Sequence, residues 1–182
     1  VNYKEKPDVG TFMREWLSLY DSKSGERGIY NSMSAKRTTE KLNQEKDKDG
    51  QNIIRRDARE DFGTNPCSEI ILRSREFCNL TECVVRGWDD TKSLKKKVRF
   101  ATILGTWQST LTNFKYLTGE WKRNCNEERL LGVSLTGIMD NADTNGSTGG
   151  LDGRLRELRK EAIKTNKEWS EKLGIPQSAA IT

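Results

Sequence analysis

The spacing of apolar side chains predicts two helices near the amino-terminal end of the chain. Residues 8–20 place Phe12, Trp16 and Leu19 at helical intervals. A second and more polar helix is predicted over residues 34–42. Residues 43–52 contain almost no apolar side chain, so we expect an exposed loop there.

Apolar runs in the middle of the chain predict short strands that alternate with long helices. Residues 70–72, 80–85 and 130–137 are rich in branched or apolar side chains and predict strands. A long helix is expected after Asp89 and Asp90, either of which can cap its first turn. Its predicted apolar stripe is Leu94, Val98, Ala101, Leu104 and Leu111.

Residues 151–173 predict the clearest helix of the sequence. Gly174 is suited to the left-handed conformation that ends a helix, and Pro176 prevents continuation. The glycine-rich residues 141–150 lack the Lys-Ser/Thr ending of a phosphate-binding loop, so we expect a connector. Strands alternating with long helices indicate an α/β fold with largely parallel pairing.

Both ends of the sequence bear on whether the chain is part of a longer protein. The chain opens at Val1, and its apolar residues 179–182 resemble part of a further strand. An unpaired strand edge is a liability for a folded domain. We therefore expect a partial sequence, and a split gene or an interrupting intein after Thr182 would both account for it.

Composition indicates a folded protein that is polar for its length. Of the 182 residues, 33% are hydrophobic and 32% are charged. Five Trp, five Phe and four Tyr argue against disorder, because bulky aromatic side chains provide burial. No apolar run approaches the length of a membrane span and no signal peptide is evident, so we expect a cytoplasmic protein with reduced cysteines.

The residue types also restrict the chemistry. The sequence has no histidine, which excludes histidine-based triads and histidine–metal sites. The four cysteines form no C-x-x-C pair, so no metal site is predicted. The net charge of +5 is mild, and the basic residues 95–99 predict a solvated helical face, with a phosphate or nucleic-acid contact as the alternative.

The densest group of chemically useful side chains lies in GTNPCSEIIL, residues 63–72. If this segment is extended, Asn65, Cys67 and Glu69 share one face and present an amide, a thiol and a carboxylate together. Pro66 suits a loop better than a central strand. Taken alone, Cys67 would more often be a small buried residue. A second cysteine, Cys78, follows eleven positions later.

These motifs resemble the ribonucleotide reductases. NPCSEIILR (65–73) followed by EFCNLTE (76–82) is similar to their active-site region, and the cysteine spacing is that of the adenosylcobalamin-dependent class II enzymes. Four further segments agree: SGERGIYN (24–31), ATILGTWQSTLT (101–112), ERLLGVSLTGIMD (128–140) and LGIPQSAAIT (173–182). Since the resemblance covers most of the chain, it indicates an internal fragment of the large catalytic chain.

The resemblance implies a fold and a set of roles. The fold would be part of a ten-stranded α/β barrel whose finger loop holds the radical cysteine. Cys67 would form a thiyl radical that removes the 3′ hydrogen of a ribonucleotide, and Glu69 would take the 3′-hydroxyl proton. Asn65 and Ser68 would bind the substrate, and Cys78 would be one of two thiols that supply reducing equivalents.

The resemblance also implies cofactor, partners and organisation. Adenosylcobalamin would be the cofactor, and the partners would be the substrate, the remaining portions of the reductase and an external dithiol such as thioredoxin. No membrane or direct nucleic-acid partner is expected. Residues 1–182 would form a partial catalytic domain, with a helical lead-in (1–62), finger loop and strands (63–88) and helix–strand–helix units (89–182). Cys83 and Cys125 are expected in the core.

Three alternatives remain open at this level. The thiol partner of Cys78 and the substrate-phosphate loop are not identified in the sequence, so the chain alone is not expected to turn over substrate. It could be a non-catalytic fragment or interaction module that needs a partner chain. It could also be a segment of a class I reductase, which uses a metal-radical subunit. A basic nucleic-acid-binding domain is supported only by the net charge.

Overall fold

The computed structural model describes residues 5–25, 28–43 and 56–182. It separates into two compact units, Val1–Ser74 and Arg75–Thr182. The division falls inside the stretch 63–88 that the sequence analysis treated as one group. Most of the polar loop predicted at 43–52, from residue 44 onward, and two residues of the SGERGIYN motif lie outside the described residues. Helices and strands both occur, so the mixed α/β class is confirmed.

Two helices and a hairpin make up the described part of the first unit. Helix α1 spans Val9–Ser22, and Asp8 caps it by accepting a hydrogen bond from the Thr11 amide at 3.0 Å. Helix α2 spans Ser32–Leu42, with Asn31 as the capping residue. Both helices were predicted from apolar spacing. Strands β1 (Phe62–Thr64) and β2 (Ile71–Arg73) pair antiparallel.

A buried arginine anchors the hairpin. The guanidinium of Arg56 lies over the Phe62 ring, 5.0 Å from its centroid, and donates to the Ile71 carbonyl at 2.8 Å. The backbone of Arg56 is held in turn by the amide side chain of Asn43, which bonds both its N–H and its carbonyl. Phe62, the first residue of β1, and Ile70, which directly precedes β2, are both buried. Arg56 therefore contacts both strands of the hairpin, through the Phe62 ring of β1 and the Ile71 carbonyl of β2.

A parallel strand pair organises the second unit. Strand β3 (Asn79–Val84) pairs in parallel with β4 (Leu131–Thr136). Parallel neighbours need a crossover, and here it contains helices α3 (Thr91–Gln108) and α4 (Gly119–Glu128). Helix α5 (Leu151–Leu173) packs along α3. Parallel pairing is thus confirmed for the strands predicted at 80–85 and 130–137, whereas the strand predicted at 70–72 pairs antiparallel in the first unit. Helix α5 has the predicted bounds, and α4 was not predicted.

The core of the second unit lies where α3 and α5 cover this strand pair. Its buried members are Cys83, Val85, Leu94, Val98, Ala101, Leu158 and Ala162. Helix α3 approaches β4 closely at Gly105, where an added Cβ would lie 2.2 Å from a methyl carbon of Leu131. The predicted stripe of α3 is wrong at its end, because Leu104 and Leu111 are exposed and Leu111 lies beyond the helix.

The last three residues extend the strand pair. The Leu131 amide donates to the Ala180 carbonyl at 3.2 Å, and the Val133 amide donates to the Thr182 carbonyl at 2.9 Å. Ile181 forms a parallel bridge with Leu131, in agreement with the strand expected at 179–182. The described residues thus contain two two-stranded sheets, and the ten-stranded barrel stays an expectation. None of their helices is long and apolar enough to cross a membrane.

Candidate active-site turn

The connection between β1 and β2 contains the amide, thiol and carboxylate that the sequence singled out. The Ser68 amide donates to the Asn65 carbonyl at 3.0 Å, which closes a turn over residues 65–68. Ser68 itself adopts a left-handed conformation, with φ of 63°. The extended conformation considered for this segment is therefore wrong. Alternation along a strand does not set the directions of these side chains.

The turn nevertheless brings Asn65 and Glu69 together. The Asn65 side-chain amide donates to Glu69 Oε1, and its own carbonyl oxygen accepts from the Ile70 amide at 3.3 Å. Thr64 and Ser68 place their hydroxyl oxygens 3.4 Å apart beside this pair. A side-chain network of this kind restricts the orientation of the carboxylate. The Asn65 amide and the Glu69 carboxylate are thus adjacent, as predicted, but a turn and not an extended strand brings them together.

The cysteines differ sharply in their exposure. Cys67 lies between the paired residues and is exposed to solvent. Cys83 is 5% exposed and Cys125 is 7% exposed, which confirms both as core residues. Burial raises the pKa of the Cys83 thiol, because a thiolate is poorly solvated in the core. All four cysteines lie in the described part of the chain, and none forms a disulfide.

Cys78 belongs to the other unit and is partly exposed just before β3. The preceding amide, of Phe77, donates to Cys125 Sγ at 3.3 Å. The Phe77 ring stacks on Trp121 with centroids 4.6 Å apart and meets the edge of Phe114 at 5.4 Å. An aromatic cluster therefore fixes the backbone beside Cys78. The structure gives no geometric relation between Cys67 and Cys78, since they lie in different units.

A cleft of about 470 Å³ adjoins the turn within the first unit. Its lining from the turn includes Asn65 and Ser68, whereas Cys67 and Glu69 do not line it. The polar groups that line it from residues 30–38 are Tyr30, Asn31, Ser34 and Thr38. Every residue of the lining is uncharged, so the cleft suits hydroxyl and amide groups better than phosphates.

The sequence did not single out these cleft residues individually. Tyr30 and Asn31 stand within the SGERGIYN motif, which was the available signal, but Ser34 and Thr38 lie outside every motif quoted. Within the ranges that the structure describes, no cluster of three or more acidic, cysteine or histidine residues could hold a metal ion. The site therefore consists of neutral hydrogen-bonding groups, one carboxylate and one accessible thiol.

Two curated proteins match the chain. It is 31% identical over 133 residues to the adenosylcobalamin-dependent ribonucleoside-triphosphate reductase of Lacticaseibacillus paracasei, and 34% identical over 83 residues to that of Lactobacillus gasseri. These matches cover 68% and 43% of this chain but only 15% and 10% of the two relatives. No family model and no solved structure matches the chain.

The chain thus spans less than a fifth of the length of the curated relatives that it matches. The order of its motifs and the named relatives point to the same enzymes. The predicted resemblance is confirmed: this chain is related in sequence to a small part of the adenosylcobalamin-dependent ribonucleotide reductases.

Proposed function

We propose that this chain contributes the radical-bearing turn of a ribonucleotide reductase and requires further portions of such an enzyme for turnover. The observation that best supports the proposal is the pairing of the Asn65 amide with the Glu69 carboxylate around an exposed Cys67. An accessible thiol beside an oriented acid is the arrangement that hydrogen abstraction from a sugar requires. The names of the relatives give the reaction class.

The proposed first step takes place at the turn, once a radical source elsewhere in the enzyme has taken the hydrogen atom of the Cys67 thiol. A thiyl radical on Cys67 removes the 3′ hydrogen of the ribose, so that an S–H bond forms as the C3′–H bond breaks. Glu69 accepts the proton of the 3′ hydroxyl group as general base. Asn65 and Ser68 bind the sugar hydroxyls and keep C3′ close to the sulfur. Each role corresponds to a position of the NPCSE motif.

The second step requires two electrons and two protons. As the 2′ hydroxyl leaves as water, Cys78 and a second thiol supply them and form a disulfide. The C3′ radical then takes its hydrogen back from the Cys67 S–H, so that the C3′–H bond re-forms and the thiyl radical is restored. An external dithiol such as thioredoxin then reduces that disulfide by thiol–disulfide exchange. The second thiol and the phosphate contacts are assigned to the remaining portions of the reductase. Turnover by the isolated chain is accordingly not expected.

The support around the turn favours precise placement of Cys67. Arg56 bonds to the first residue of β2, Ile70 is buried next to the turn, and Phe62 is buried at the base of the hairpin. Reacting atoms must be held close to their final separation for abstraction to be efficient. A short hairpin with a buried base satisfies this requirement better than an unsupported loop.

Adenosylcobalamin dependence is part of the relatives' names and is proposed here for the complete protein. When bound, this cofactor supplies an organic radical. The described residues do not fit it: the cleft of about 470 Å³ is of nucleoside size, far smaller than a corrin with its side chains. The chain also has no histidine that could bind cobalt. Contacts to the cofactor are therefore assigned to other portions of the enzyme.

Replacement of Cys67 by serine tests the proposal. The chain would be combined with the remaining portions of the reductase, and deoxynucleotide formation would be measured with and without adenosylcobalamin. We expect C67S to lower product formation by at least about 10³-fold, since no other group replaces the thiyl radical. C83A is the matched control and should lose activity only in proportion to its unfolded fraction.

Retained activity in C67S would overturn the radical assignment. Activity that depends on a metal-radical subunit instead of adenosylcobalamin would identify a class I enzyme. Circular dichroism of both variants would show whether a loss of product reflects chemistry or folding.

One observation favours the alternative of a non-catalytic part of an assembly. Helix α1 has no buried residue, and one side of it exposes large apolar side chains. They are Val9, Met13, Trp16, Leu17 and Tyr20. Such a stripe is typical of a surface that another chain covers. If mixing with the complementary portions yields a stable complex that remains inactive under every radical-generating condition, this alternative replaces the enzymatic one.

A further inference from the structure

The hydroxyl group of Tyr30 is a polar atom that the proposed radical chemistry does not use. Tyr30 precedes α2 and lines the cleft beside the turn. Its hydroxyl is shielded from solvent and has no hydrogen-bond partner within residues 5–25, 28–43 and 56–182. Buried hydroxyls in folded proteins nearly always have a partner, so this one requires an explanation.

The environment of Tyr30 keeps its hydroxyl protonated. Burial raises the pKa of this phenol, and the nearby carboxylate of Asp61 raises it further, while Arg56 acts in the opposite direction. A protonated phenol can donate one hydrogen bond and accept others. Tyr30 lines the cleft and its hydroxyl is an unused donor, so a bound molecule that reaches this hydroxyl would satisfy it.

The lining of the cleft defines the chemistry of that molecule. Asn31, Ser34 and Thr38 provide hydroxyl and amide groups on one side, and Asn65 and Ser68 provide them on the other. No charged residue lines the cleft, so an anionic group would lose its hydration there without a compensating cation. Its volume of about 470 Å³ is within the range of small-molecule sites.

We infer that Tyr30 is a ligand-binding residue of this cleft, and that its hydroxyl bonds to the uncharged nucleoside portion of a nucleotide. The inference rests on the proposed function, because it places the sugar beside the same turn that holds Cys67. The phosphates of the nucleotide lie outside the cleft. Tyr30 thereby adds to the substrate contacts that the NPCSE motif provides.

A neighbouring cavity makes the choice of probe important. Tyr30 also lines a space of about 380 Å³ whose charged residues are Lys6, Arg37 and Glu5, two cations and one carboxylate. Those cations would favour an anion, so the experiment must distinguish neutral from anionic ligands. Uncharged cytidine and adenosine test the cleft, and inorganic triphosphate tests the cationic cavity.

Replacement of Tyr30 by phenylalanine provides the test. Nucleoside binding to the full chain would be measured by saturation-transfer NMR titration of wild type, Y30F and Y116F. Tyr116 is 97% exposed, so Y116F is a matched control for loss of a phenol hydroxyl. We expect Y30F to weaken nucleoside binding by about fivefold or more, because a ligand hydroxyl loses its partner, while Y116F binds as wild type does.

Thermal unfolding of the unligated variants separates binding from folding. Y30F should unfold at the same temperature as wild type or higher, since it removes a buried hydroxyl that has no partner. A lower melting temperature would show that the hydroxyl serves the fold, and would overturn the inference. T38V provides a second variant at the other side of the cleft and should also weaken nucleoside binding.

Two further outcomes would contradict the inference. Equal nucleoside affinity in wild type and Y30F would remove Tyr30 from the site, and competition by inorganic triphosphate would identify an anion site. The radical assignment is measured separately, through product formation by C67S. A result that excludes nucleoside binding in the cleft can therefore be told apart from a result that excludes the radical role of Cys67.

Discussion

The hairpin turn of the first unit and the α3–β3–β4–α5 core of the second place the same kind of side chain in opposite environments. Cys67 is exposed at a turn whose partners are hydrogen-bonding groups, whereas Cys83 is enclosed by aliphatic side chains. The turn depends on a few specific bonds, and the core depends on the combined burial of many residues. Thiol chemistry is therefore available at the turn and suppressed in the core.

Cysteine labelling should show the largest difference between the two regions. With the full chain in excess thiol reagent, we expect Cys67 to react at least about 10²-fold faster than Cys83. Burial both blocks access to Cys83 and raises its pKa, so the fraction of reactive thiolate is lower there. Mass spectrometry of time points would locate the label. C67S removes the label at residue 67, and the peptide that carries the partly exposed Cys78 is scored separately. Labelling of Cys83 as fast as that of Cys67 would contradict the assigned burial.

Truncation of a core side chain should have the largest effect on stability. Leu94 is 2% exposed and belongs to the core between the helices and strands. We expect L94A to lower the free energy of unfolding by about 2–5 kcal/mol, through lost burial and the cavity left behind. Leu111 is 71% exposed, so L111A should change it by less than about 0.5 kcal/mol. Urea unfolding measures the free energy of unfolding of both variants. Equal losses in L94A and L111A would contradict the assigned burial of Leu94 and exposure of Leu111.

A buried carboxylate should make the second unit sensitive to acid. Asp89 accepts bonds from the Arg86 amide at 2.8 Å, the Ser93 hydroxyl at 2.8 Å and Lys97 Nζ at 2.5 Å. The hydrogen bond from Lys97 is the main cause that lowers the pKa of Asp89 below its ordinary value of 3.8. The stabilisation is complete above that value and is lost as the pH falls through the lowered pKa of the folded state.

The variant D89N tests this dependence. At pH 7 it should melt several degrees below wild type, since a neutral amide replaces a carboxylate that binds three donors. The two melting temperatures should converge as the pH is lowered toward 2. D152N is the control, because Asp152 is exposed and pairs with Arg156 on the surface of α5. If the melting temperatures of D89N and wild type differed by the same amount at all pH values, the ionised carboxylate of Asp89 would be excluded as the source of the stabilisation.

The smallest predicted effect is at the turn itself. Ser68 adopts a φ of 63°, which favours glycine over residues that bear a Cβ. S68G should raise the free energy of unfolding slightly, by about 0.5 kcal/mol, and S68A should not raise it. Hydrogen exchange of the Ile70 amide, which bonds to Asn65, would report the local change. A destabilising S68G would show that the serine hydroxyl matters more than the backbone conformation.

Most helices and strands could be predicted because their signals are local. Apolar spacing predicted α1, α2 and α5, and the carboxylates before α3 indicated its start. The stripe of α3 was wrong at Leu104 and Leu111. Leu104 lies about 80° around the helix from Leu94, outside the face that Leu94, Val98 and Ala101 share, and Leu111 lies beyond the last helical residue. The motif of the turn was recognised, but its conformation was not, since a left-handed serine has no clear sequence signal.

The sequence by itself determined most of the helices and strands, the α/β class and the relation to ribonucleotide reductases, because these depend on local periodicity and on motifs. It did not predict β1 or α4. Only the tertiary structure decided which thiols are exposed, how Asn65 meets Glu69 and which groups share a cleft with them. Burial and contact depend on residues distant in the chain: the cleft joins residues 28–38 to residues 64–71. No pattern of neighbouring residues in the sequence indicates that these two segments lie side by side.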